Sequence, residues 1–114
     1  MKTIYLSGIS VYSLGNIKGD LTSVICSSDG EKYFDNDYDE LTFLINYPVN
    51  NPLQVKIENI SCIADILVPI ARAYKNKIYK YPEKYGVWGH DISDLYFEGI
   101  VINDDGTGEI MVGS

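Results

Sequence analysis

From Tyr85 to Ser114 the chain has no lysine or arginine, yet it carries Asp91, Asp94, Glu98, Asp104, Asp105 and Glu109. The whole sequence has a net charge of −7, which opposes binding to nucleic acid or an anionic membrane and favours a basic partner. Histidine is almost missing. His90 stands alone, so any Ser-His-Asp triad or Cys-His pair has to be built on that one ring. Cys26 and Cys62 show neither CxxC nor Cys/His ligand spacing, and Cys62 lies among apolar residues. That context reads both as reduced core thiols. No uninterrupted apolar run is long enough to span a bilayer. The phosphate-cradling patterns GxGxxG after a strand and GxxxxGK[ST] are absent, and Gly86-Val87-Trp88-Gly89 replaces neither. Repeats and low-complexity tracts are lacking too.

What is there suits one folded domain. The 114 residues, with 46% hydrophobic and 22% charged side chains, lie outside the composition range of disorder and allow a core without metal or disulfide staples. The opening MKTIYLSGISVYSLG has one lysine, an apolar stretch broken by Ser7, Ser10, Tyr12 and Ser13, and no small-residue cleavage site. It reads as part of the fold, and the chain as cytoplasmic.

Between residues 61 and 81, Ile63, Ile66, Leu67, Ile70, Ala71, Tyr74, Ile78 and Tyr81 recur at helical spacing. Ser61 is the expected N-cap. Asp65 falls early, and Arg72, Lys75, Lys77 and Lys80 fall late, as the helix dipole favours. Pro69 leaves two alternatives: a kink within the helix, or a main helix that opens at the proline. Pro82, Gly86 and Gly89 close the segment. Residues 95–102 and 109–112 are β-branched and aromatic around Asn103-Asp104-Asp105-Gly106, which predicts a C-terminal hairpin. A second hairpin is predicted from 42–49 and 53–58, although Tyr38, Leu41, Leu44 and Ile45 also suit a short helix. Further strands are expected over 4–12 and 21–26. The fold class is therefore α+β: a single domain over 1–114, with an antiparallel sheet and one principal helix.

The run Asp35-Asn36-Asp37-Tyr38-Asp39-Glu40 resembles the start of a calcium loop, but Glu40 stands where the sharp turn requires glycine and Asn46 where a bidentate glutamate is needed. An acidic recognition loop fits better, with Tyr33, Phe34 and Tyr38 as aromatic anchors. His90 with Asp91 and Asp94 offers an imidazole and two carboxylates for a small enzyme, but the spacing equally suits a turn with a structural histidine. The lysines from Arg72 to Lys84, interleaved with tyrosines, could stack on and pair with RNA, yet they share one polar helix face in an acidic protein. No cofactor or metal is called for.

Residues 78–100, IYKYPEKYGVWGHDISDLYFEGI, resemble a stretch of small bacterial immunity proteins from polymorphic toxin and contact-dependent growth inhibition systems. The resemblance covers the C-terminal part of the chain and implies a role, not an architecture. It implies a non-enzymatic cytoplasmic inhibitor that binds a cognate toxin domain and blocks its active site or substrate surface. Many such toxins are nucleases with basic clefts, which carboxylates can occupy. Gly86, Trp88 and Gly89 would hold a turn and a core contact. Recognition is then expected from Asp35, Asp37, Tyr38, Asp39 and Glu40, with Asp91 and Asp94 second. An acidic accessory protein that mimics nucleic acid is the other non-enzymatic reading.

Overall fold

A computed structural model describes residues 2–16 and 38–114 of the chain. The strand expected over 21–26 lies outside the described residues. The elements run β1 (Lys2–Ser10), α1 (Val11–Gly15), β2 (Tyr38–Ile45), β3 (Leu53–Ile60), α2 (Ala64–Ala73), a π-helical turn (Tyr74–Ile78), α3 (Pro82–Tyr85), a 3₁₀ turn (Ile92–Asp94), β4 (Tyr96–Ile102) and β5 (Thr107–Gly113).

Residues 38–45 form a strand because period two wins over period 3.6. Leu41, Phe43 and Ile45 are buried while Glu40 is exposed and Thr42 and Leu44 are half-buried. Pairing on both sides of β2 fixes that choice, with β3 antiparallel to it (Leu41↔Ile57, Phe43↔Val55) and β5 parallel (Thr42↔Thr107, Leu44↔Glu109). Among the described residues the sheet has five strands in the order β1-β4-β5-β2-β3. Both predicted hairpins are present. The sheet is mixed, not purely antiparallel, because β5 meets β2 in parallel.

The C-terminal hairpin is closed by side chains that the turn sequence supplies. Asn103 N–H donates to Thr107 O at 2.8 Å, Gly106 takes φ +86°, and the Asp105 carboxylate accepts from Thr107 N–H at 3.0 Å and from its hydroxyl at 2.6 Å. These bonds, the hydroxyl's first, hold the Asp105 carboxyl below the usual range.

Helix α2 lays Ile66, Leu67, Ile70 and Ala71 on the sheet, where they join Ile4, Phe43, Ile57, Phe97, Ile100 and Ile110 in one core. Ser61 does not cap it. Asp65 reaches back instead, and its Oδ2 accepts from Ser61 N–H at 2.9 Å and Cys62 N–H at 3.3 Å, the acidic half of a capping box. Pro69 lies inside the helix and does not open it. The predicted helix runs on past Ala73 by widening: Tyr79 N–H bonds Tyr74 O at 2.8 Å, an i→i+5 bond. Pro82 then stands at the first position of α3, which Gly86 ends in the left-handed conformation (φ +63°). A side chain at Gly86 would be strained there, and its Cβ would lie 2.9 Å from that of Asn50.

Cys62 is buried, as expected, but it is not a reduced thiol: it is disulfide-bonded. The only other cysteine in the sequence, Cys26, lies outside the described residues. Spacing gave no warning, since a disulfide requires proximity in space rather than a local motif.

Candidate protein-binding face

All the core residues of the strands point to the helical side, so strand register dictates what the opposite side presents. Reading across it, β1 supplies Thr3 and Tyr5, β4 supplies Tyr96 and Val101, and β5 supplies Thr107, Glu109 and Met111. On the other half β2 supplies Glu40, Thr42 and Leu44, and β3 supplies Gln54, Lys56 and Glu58. No described element covers this side. Tyr5 is 74% and Tyr96 43% exposed. Gly99 has no side chain because the Met111 methyl group and the Ile4 carbonyl occupy that space, and Glu98 lies against Gly113 at the adjoining bulge. Rings, apolar side chains and carboxylates thus share one continuous surface, the composition of a binding face more than of a simple solvated one.

Glu40 and Glu58 are direct cross-strand partners, and like charges so placed repel. Lys56 bridges them, at 3.2 Å to Glu40 and 3.7 Å to Glu58. The Glu40 hydrogen bond, then both nearby charges, raise the Lys56 ammonium above its ordinary range. These groups are exposed, so the pairs contribute little to stability. Glu109 has no ion pair or side-chain hydrogen bond among the described residues. Glu40 and Glu58 therefore flank Lys56, while Glu98 and Glu109 lie farther across the same face.

The residues singled out from sequence are not one cluster. Asp35 and Asp37 lie outside the described residues. Tyr38, the first residue of β2, pairs with Ile60 and packs its ring against the core, while Asp39 and Glu40 are exposed. Asp91 and Asp94 sit at the opposite end of the sheet, just before β4, and cap the 3₁₀ turn reciprocally; Asp94 Oδ2 accepts from Asp91 N–H at 3.4 Å. Glu58, Glu98 and Glu109 were missed as candidates. Their alternation with apolar neighbours was visible, but only the register reveals that they share a face.

His90 enters an aromatic group with Tyr47 and Trp88, with ring centroids 5.4 to 6.0 Å apart. Its Nε2 lies 3.4 Å from Ser114 Oγ, which is 3.3 Å from the Tyr47 hydroxyl. Tyr74 donates to the Tyr47 carbonyl at 2.6 Å and Tyr79 to the His90 carbonyl at 2.9 Å. Gly86 and Trp88 are tied to the β2–β3 loop: Asn50 N–H bonds Gly86 O and Trp88 N–H bonds Pro48 O, both at 3.0 Å. Trp88 remains 46% exposed. No described carboxylate hydrogen-bonds the His90 ring, and no described group of three His, Cys, Asp or Glu side chains is arranged to hold a metal ion. Among the described residues the His90 ring packs against Tyr47 and Trp88 and meets the Ser114 hydroxyl, without the orienting carboxylate of an acid-base pair.

No described helix is long and apolar enough to cross a membrane. Comparison with protein-family models, curated proteins and solved structures finds no match to this chain.

Proposed function

We propose that this protein is a bacterial immunity protein, a non-enzymatic inhibitor that binds and neutralises a toxin domain with a basic surface, a nuclease, by covering its active site or substrate surface. The sheet face that no described element covers carries the proposal. Its glutamates match the field of a cleft built for phosphates, and Tyr5, Tyr96, Val101 and Met111 offer apolar area between them. Charge would speed encounter, and the exposed rings, once covered by the partner, would slow release. Of the residues first expected to bind, Glu40 belongs to this face; Glu58, Glu98 and Glu109 extend it.

A nuclease partner places the complex in the cytoplasm. The Cys62 disulfide weighs against that compartment, because disulfides are rare where thiols are kept reduced. The test is to co-express the chain with the toxin-like product of the adjacent gene. Rescue of growth and co-purification as a one-to-one complex are expected; neither rescue nor complex would refute the proposal.

A further inference from the structure

We propose that a depression in the sheet face at the β2–β5 junction is a socket for one arginine side chain of the partner protein. The partner's basic character rests on the function proposed above, whereas the socket rests on its own geometry. Thr42, Leu44, Gln54, Asn103, Thr107 and Glu109 line a hollow of about 210 Å³. That is smaller than the roughly 300–1,000 Å³ of ordinary small-molecule sites and suits a single long side chain.

The lining divides into fixed and unengaged groups. Thr107 Oγ1 donates to Asp105 at 2.6 Å and accepts from the Asn103 amide at 3.1 Å, so that wall is locked by the turn. The Glu109 carboxylate, the Thr42 hydroxyl and the Gln54 amide have no side-chain partner among the described residues. Leu44, cross-strand from both Glu109 and Gln54, supplies an apolar flank between these polar groups. Three acceptor groups around an aliphatic wall match a guanidinium on its methylene stem. The planar fork spreads five donors and is more weakly hydrated than an ammonium, so arginine fits better than lysine. Lys56 is the nearest competing cation, cross-strand from Thr42, and Glu40 and Glu58 hold its ammonium at 3.2 and 3.7 Å. Those two carboxylates also extend the attracting field along the face.

Titration of the full chain with N-acetyl-arginine amide, followed by ¹H–¹⁵N NMR, tests the socket. Saturable shifts confined to Thr42, Leu44, Gln54, Thr107 and Glu109 are expected, with N-acetyl-citrulline amide inert and N-acetyl-lysine amide weaker. Glu109→Gln should weaken the arginine probe about tenfold or more, as loss of a charged hydrogen-bond acceptor does. Thr42→Val should weaken it less, and provides a second variant if the first is unfolded. Shifts spread over all acidic residues, equal responses to citrulline, or unchanged affinity in both variants would overturn the socket. If arginine binds locally but no toxin is neutralised, the socket stands and the immunity proposal falls. If the toxin binds and both variants behave as wild type towards the probe, the reverse holds.

Discussion

Asp65, Asp91, Asp94 and Asp105 each lie beside backbone N–H groups that need an acceptor, and each is drawn into a helix or turn. Glu109, set within a strand, has no such neighbour among the described residues. A carboxylate's role thus follows from local backbone geometry, which a count of acidic residues cannot distinguish. The same holds for Cys62. Its apolar neighbours made burial legible, while nothing local in the sequence marks its oxidation. Under denaturing, non-reducing conditions the purified protein is expected to show no free thiol, and Cys62→Ser to lose about 2–4 kcal/mol of stability in urea unfolding. Two titratable thiols and an unaltered unfolding curve would contradict the disulfide.

At the scale of elements, strong local signals were readable and long-range pairing was not. Helix α2 showed in its apolar stripe, and the C-terminal hairpin in Asn103-Asp104-Asp105-Gly106. Residues 38–45 were ambiguous because they satisfy both periods, and only the flanking strands β3 and β5 decide between them. The π-helical turn had no signature in sequence, yet it orients Tyr74 and Tyr79 toward the loops that carry Tyr47 and His90. Burial pushes the Tyr74 hydroxyl far above its ordinary pKa. Burial, followed by the charges of Asp91 and Asp94, pushes Tyr79 from 10.0 up to about 12. Below pH 10 both phenols are protonated whether the chain is folded or not. Between about pH 10 and 12 the unfolded Tyr79 ionises while the folded one keeps its proton, so stability falls across that window. Urea unfolding at pH 8, 10 and 11 should show this decline, made shallower but not abolished in Tyr79→Phe because Tyr74 titrates in the same sense. An identical decline in the variant would show that Tyr79 plays no part.

For the whole molecule, the sequence announced a negative protein but not where its charge is concentrated. Asp91 and Asp94 are at the opposite end of the sheet from Glu40, so their place within the resembling segment did not identify a common surface. Register produces the face: four glutamates, Lys56 and two exposed tyrosines are brought together from all five described strands, on the side opposite the core. Exposed charges act mainly through screened long-range attraction. The most direct measurement is therefore the association rate with the purified toxin domain from the adjacent gene, at low and at physiological ionic strength, for wild type and for Glu58→Lys combined with Glu98→Lys. The account predicts that the double variant associates at least tenfold more slowly at low salt and that the difference shrinks as salt rises. Equal rates at both ionic strengths, with the double variant folded, would contradict binding through this face.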